Sequence, residues 1–483
     1  MNFYLQYSRV WIILLAACLL LLACAQTDAT PDEGALPEVE AETGQDAPGT
    51  GSEETAQPET ATSTISEPVD LPTGLIAPED LHYLGAFRLP ETGDEYGWSY
   101  SGYAMTFYPG GDPGGPDDGF PGSLYVLGHD HAQTVAEISI PAPVISTTKD
   151  PGQLHVASML QPFQDITGGM FGELEIPRAG LAYLPPLGSQ TTGKLYFCWG
   201  QHFQFEPEPS HGWSELDLSA PNPAGPWHVA EYTNYVTNDY LLEIPEAWAV
   251  AYTPGLRLAT GRFRDGSWGG LGPALLALGP WNEGNPPPSN SSLQQVAALL
   301  LYGEPQPGNP EISVTEDRRM DAFSEPDEWS GGAWLTAGDG GIDGVSAVIF
   351  VGTKAIGKSW YGFSNGVEYP ISGDPDEEYP EVPAWPHDER GWWSEDISAM
   401  ILFYDPSELG AVAQGKLQTW QPQPYASLVL DEYIFDAGFD YERAKRYLLG
   451  AAAFDRENGL LYIIERMADE EERSLIHVFR LET

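Results

Sequence analysis

One pattern limits the folds open to this chain more than any other. A short apolar segment rich in Gly and Ala, a turn, and a second apolar segment ending in polar residues recur five times. The first members are SGYAMTFYP from Ser101, AGLAYLPP from Ala179, EAWAVAYTP from Glu246, SGGAWLTAG from Ser330 and LLGAAAFD from Leu448. Their partners are GSLYVLGHDH, GKLYFCWGQH, GLRLATGRFR, VSAVIFVGTK and NGLLYIIERM. A strand pair this short cannot bury its own apolar faces, so copies must stack on one another to make a core. The register comes from Leu174-Glu175-Ile176-Pro177-Arg178-Ala179 and Leu242-Glu243-Ile244-Pro245-Glu246-Ala247, 68 residues apart. Gly and Ala recur near the middle of the first members, as expected where strands crowd an axis.

Third and fourth strands are expected in most units: TVAEISIP then QLHVASML, GWSELDLS then GPWHVAEY, PALLALGP then QQVAALLLY, and AMILFYDP then YASLVLDEY. The fifth unit offers only a third strand, SLIHVFRL, and LHYLGAFRLP from Leu81 is expected to supply its fourth. This arrangement resembles a β-propeller closed by strand exchange. The resemblance is architectural, with no WD or kelch signature, and it implies an all-β fold of five blades. A sixth blade between Gly332 and Gly450 is the alternative, and a two-sheet sandwich a more distant one. At about 80 residues per blade the units exceed the roughly 40 to 50 of common propeller repeats, so long loops are expected. They are placed from Gly110, from Asn282 to Asn309 and from Gly362 to Asp396. Gly and Pro interrupt the apolar runs every few residues, so helix should be scarce.

The N-terminus reads differently. Arg9 precedes an apolar run, Val10 to Leu22, that is short for a membrane span and leads into Leu21-Leu22-Ala23-Cys24. This resembles the lipobox of bacterial lipoproteins and implies a signal peptide over residues 1–23, with lipid on Cys24. Residues 24–74 are rich in Thr, Glu, Pro, Ala and Gly and contain no Lys or Arg, which predicts an acidic tether with a span of roughly 40 Å or more. The propeller should occupy 75–483. The chain is then an exported protein of the bacterial cell surface that meets the membrane only through its lipid. Cys198, in LYFCW, is the one cysteine of the folded part and reads as a small buried hydrophobe.

Charge excludes one class of partner. Against 71 acidic residues stand 21 basic ones, a formal net charge of −50, which repels the phosphate backbone of nucleic acids. The basic residues are therefore informative where they gather. Aligning the second strands on Gly122, Gly193, Gly255 and Gly459 puts His129, Gly200, Arg262 and Arg466 in one column, and His131, His202, Arg264 and Ala468 two residues on. Lys354 and Lys358 fall at the end of the fourth copy, and Gln201 lies beside His202. Strand residues two apart share a face, so His129 with His131, and Arg262 with Arg264, are expected to pair at the axial rim. That rim would suit a carboxylate or sulfate through guanidinium contacts. The plainer account is that strands become polar where they leave a core, with Asp265 and Glu465 pairing to the arginines.

His129, His131 and His202, with oxygen from Gln201 or Asp130, would suit a transition metal. The residue types are similar to those of propeller lyases acting on uronate oligosaccharides. Acidic turns at Asp112, Asp117 and Asp118, and at Asp339 and Asp343, offer oxygen to Ca2+, although the spacing is not that of an EF-hand. Trp385, Trp392 and Trp393, with Trp360 and Tyr361, could form a sugar platform or simply pack an insertion. The chain contains no GxSxG, HExxH or phosphate-binding Gly loop. The expected function is a binding or scaffold module for glycans or carboxylated ligands. The alternatives are a carbohydrate-active lyase or hydrolase using the His/Arg rim, and a docking propeller for a surface protein.

Overall fold

The structure is a computed structural model that describes residues 74–93, 97–115, 119–201, 204, 206–263, 271–303, 319–320, 323–337, 344–371, 378–436 and 445–482. The signal segment, Cys24, the tether, Asp117, Asp118, His202, Arg264, Asp265, Asp339 and Asp343 lie outside the described residues.

Strand β1 (Leu81–Arg88) opens the described chain but belongs to its last sheet. Blade one is β2 (Met105–Tyr108), β3 (Ser123–Leu127), β4 (Thr134–Ser139) and β5 (Met159–Asp165). Blade two is β6 (Arg178–Leu184), β7 (Lys194–Gly200), β8 (His211–Ser214) and β9 (Ala224–Val229). Blade three is β10 (Tyr240–Glu243), β11 (Leu258–Gly261), β12 (Leu275–Leu278) and β14 (Val296–Leu300), while β13 (Ser292–Leu293), from its last loop, pairs in parallel with β9 of blade two. After the small hairpin of β15 (Arg319–Met320) and β16 (Phe323–Ser324) comes blade four: β17 (Glu328–Ala337), β18 (Val345–Phe363), β19 (Arg390–Tyr404) and β20 (Ala426–Val429). Blade five is β21 (Leu449–Asp455), β22 (Leu460–Glu465), β23 (Leu475–Leu481) and β1, joined antiparallel to β23 from Leu81↔Leu481 to Arg88↔Leu475. The inner strands β2, β6, β10, β17 and β21 each lie against the next, and β21 returns to β2. The protein is a five-bladed β-propeller closed by strand exchange.

Alternation in the second strands explains their unbroken apolar runs. In β7, Leu195, Phe197 and Trp199 enter the core shared with blade one, while Tyr196 and Cys198 enter the core shared with blade three. A strand buried on both faces has no polar face to show. One such core fills each of the five interfaces between neighbouring blades. Cys198 is fully buried, and burial pushes its thiol well above the usual range.

Three expectations fail. The fourth strand of blade one is not QLHVASML from Gln153 but β5, which starts at Met159. EAWAVAYTP is not an inner strand but helix α1 (Glu246–Tyr252). The matched Leu-Glu-Ile-Pro motifs are not equivalent: the first lies in the loop before β6, whereas Leu242 and Glu243 end β10. Pro245 cannot donate to a ladder, so the strand stops there. Glu246 then occupies the first turn of a helix, where an acid suits the dipole. The true inner strand, Tyr-Leu-Leu-Glu, lacks the small residues that marked the others. Nor do residues 362–396 begin as a loop, and among the described residues no sixth blade lies near them: β18 and β19 run on past the sheet as a two-stranded arm, paired as far as Phe363↔Arg390. A second helix, α2 (Pro406–Ala413), packs near α1.

At several glycines the inner strands approach one another closely. A Cβ on Gly450 would sit 2.1 Å from Gly102 O, one on Gly331 2.4 Å from Gly450 O, and one on Gly180 2.7 Å from Tyr240 C. At this level Ala451 N donates to Gly102 O across the blade boundary (2.9 Å). Gly450→Ala is expected to cost about 3 kcal/mol or more in urea unfolding, because the obstacle is backbone. Gly93→Ala, which meets nothing within 4 Å, should shift stability by no more than about 0.5 kcal/mol.

A buried histidine ties two blades together. His211 on β8 lies 2.8 Å from Thr260 Oγ1 of β11 through Nε2 and 2.9 Å from Ser210 Oγ through Nδ1. Burial pushes its pKa down to about 3 from the ordinary 6.5. The unfolded chain therefore binds a proton that the folded one refuses, and the stability present above pH 6.5 is lost as pH falls toward 3. At pH 5 that loss is about 2 kcal/mol, at about 1.4 kcal/mol per pH unit. Urea titrations at pH 7.5 and 5.0 should show His211→Gln losing about that much less than the wild type.

Candidate functional site

Second strands end, and inner strands begin, at the same end of the axis, and there the basic residues do converge. Arg178 opens β6, Arg262 follows β11, Arg446 precedes β21 and Arg466 follows β22. Arg178, 3% exposed, donates through Nη2 to Glu328 Oε2 (2.9 Å) and holds Nε 3.9 Å from Asp239 Oδ1. Its guanidinium stacks 4.4 Å from the Phe263 ring and 4.7 Å from Tyr103. Arg466 covers Tyr103 at 3.8 Å and faces Tyr447 at 5.3 Å. Arg446 lies 4.9 Å from Tyr447 and 4.8 Å from Trp393. Arg262 is fully buried, donates to Asn234 O (2.6 Å) and stacks on Tyr235 at 4.8 Å.

Electrostatics within this layer are tightly coupled. Burial would lower the pKa of Arg178, but Glu328, Tyr103 and Asp239 outweigh it and hold the guanidinium well above its usual range. Burial raises the Asp239 carboxyl, with Arg178 and Arg262 countering in part. Arg178 Nε and Nη1 and Arg466 Nη1 are buried and make no hydrogen bond among the described residues. An unmet donor on a charged group costs more than the roughly 1–3 kcal/mol of a neutral one. A buried ion pair is often no more stabilising than apolar side chains of equal volume. Stability alone is thus a poor reason for four arginines here.

The other expected residues are placed as follows. His129 and His131 are not a strand pair: β3 ends at Leu127, His129 N donates to Gly97 O, and Asp130–Ala132 forms a 3-10 turn. Their ring centroids are 5.9 Å apart, and His129 Nδ1 stands 3.0 Å from Asp130 Oδ1. Burial would raise the Asp130 carboxyl, but the hydrogen bond with His129 and the charge of Arg466 hold it below its usual range, which ties this turn to the axial layer. Gln201 Oε1 accepts from Glu175 N (3.1 Å). Lys354 is spent on fully buried Asp327, with Nζ 2.9 Å from both carboxylate oxygens, and Lys358 pairs with Glu368. Among the described residues Glu465 meets no arginine; it accepts from Phe435 N and Asp436 N and lies 2.8 Å from His477 Nε2. Among the described residues no group of three or more His, Cys, Asp or Glu is placed to hold a metal ion. Asp112 serves its own turn, accepting from Gly114 N.

Sequence reasoning missed Arg178, Asp239, Glu328, Arg446 and the rings between them. Arg178 and Glu328 precede or open inner strands, and the alignment compared only the ends of second strands. It also missed the opposite end of the axis. There a cavity of about 630 Å³ is lined from all five inner strands, with Phe107, Tyr183, Trp334 and Phe454 in its wall. At its mouth Arg257 and Arg456 share Glu243, and Arg456 also donates to Thr336 Oγ1 (2.8 Å). Gly332 and Ala452 line this cavity while Gly102 abuts Arg466, so the glycine level separates the two ends.

What the fold and the axial layer define is a class, a five-bladed propeller with an arginine-rich end. No protein-family model and no curated protein sequence matches the chain.

Proposed function

We propose that the domain is an extracellular binding module, held to the membrane by lipid on Cys24, that recognises a carboxylated ligand at the arginine-rich end of its axis. The observation that carries this reading is the pair of buried nitrogens, Arg178 Nη1 and Arg466 Nη1, on guanidiniums that share the Tyr103 ring. Stacking fixes the planes of both groups, and a fixed fork matches the two oxygens of a carboxylate. In a chain of net charge −50 the attraction is local, so the ligand must come within about 10 Å, the screening length at moderate salt, to feel it.

Titration calorimetry against hexuronic acids and their neutral parent sugars tests the site. The acids are expected to bind and the neutral sugars to fail. Arg466→Met should weaken binding at least about tenfold, as for the loss of a charge-assisted hydrogen bond. Equal binding by a variant whose urea midpoint matches the wild type would remove Arg466 from the site. For the anchor, Cys24→Ser is expected to move the protein from the membrane fraction to the soluble one; continued membrane association would refute lipidation there.

A further inference from the structure

Beside the axial layer stands the arm of blade four, and its two faces differ. Trp360 is paired across the arm with Trp393, and Tyr361 with Trp392. Directly opposed residues share a face. The first pair is buried, with indole N–H groups donating to Phe363 O and Gly362 O, so these two tryptophans pack the arm. The second pair is half-exposed, its rings 5.3 Å apart, and Tyr369 joins it 6.2 Å from Tyr361. Arg390 is exposed, lies 4.3 Å over Tyr369 and 5.9 Å over Tyr361, and makes no ion pair among the described residues. In a chain with 71 acidic residues, an arginine posed on two aromatic rings with no acid paired to it among the described residues is an unusual use of charge. In the connection between the arm's two strands Ile371, Tyr379, Val382 and Trp385 are exposed, the last 77%, and the Tyr379 ring lies 5.0 Å from Tyr369.

The packed face of the arm abuts the axial layer. Arg446 Nη1 donates to Trp392 O (3.3 Å), and its guanidinium lies between Trp393 and the Tyr447 ring that Arg466 also faces. We propose that Tyr361, Trp392, Tyr369 and Arg390 form a second subsite for the same ligand, which is therefore a chain of acidic sugars rather than a single small acid. This rests on the carboxylate reading of the axial arginines. One uronate meets Arg178 and Arg466, and later residues lay the apolar faces of their rings on Trp392 and Tyr361 and offer a carboxylate to Arg390. Two linked contacts raise affinity by about 10²-fold or more without strengthening either one.

The test is calorimetry with monomers and hexamers of glucuronic, galacturonic and mannuronic acid. At least one hexamer is expected to bind about a hundredfold tighter than its monomer. Arg390→Gln, at an exposed position, and Trp392→Ala should each lower hexamer affinity about tenfold while leaving monomer affinity unchanged. Monomer and hexamer binding alike, or full hexamer affinity in both variants, would overturn the second subsite and leave the axial one standing. No binding of any uronate by the wild type would instead overturn the carboxylate reading, and this inference with it.

Discussion

Everything in this propeller depends on how closely its inner strands can approach. At Gly180, Gly331 and Gly450 the backbones of neighbouring blades come within a distance that leaves no room for a Cβ. The blades can then wedge together along their whole radius, which is what buries both faces of every second strand in the five cores. The same narrowing divides the axis. On one side small residues leave a cavity; on the other the strand starts and strand ends bring Arg178, Arg466 and Arg446 around Tyr103 and Tyr447.

That arginine layer illustrates how a strongly acidic chain concentrates its few cations. Guanidiniums tolerate burial here because aromatic faces and carboxylates surround them, Glu328 and Asp239 for Arg178 and a backbone carbonyl for Arg262. Lysine would not serve equally, since its ammonium is more strongly hydrated and has no plane to stack. Lys354 stacks on no ring among the described residues and pairs instead with Asp327.

Much of the architecture was legible because a repeated, two-sided burial leaves a repeated apolar pattern. The exchange of β1 into the last blade followed from a missing fourth strand and a spare first one. The third inner strand was misread because Tyr240–Glu243 carries large side chains, so a matching tetrapeptide 68 residues from its lookalike was the stronger signal. Convergence of Arg262 and Arg466 could be read from strand ends. Their partners Arg178, Glu328 and Tyr447 could not, because they arrive from strand starts and loops whose register only the folded ring defines. The arm was hidden for another reason: a hairpin rich in Gly, Trp and acids lacks the plain alternation that marks a strand.

Strand exchange also fixes an order of events. Leu81 pairs with Leu481, so nearly the whole domain must emerge before the fifth sheet has its outer strand. Closing so long a loop adds only a logarithmic entropy cost, but it comes late. Until then β23 has an open edge and the faces of blades one and five lack each other, a species prone to aggregate. Residues 142–157 of blade one also cover the outer edge of β1, through Val144 on Ala86 and His155 on Arg88. The latch that completes the ring is thus itself held shut by the first blade made.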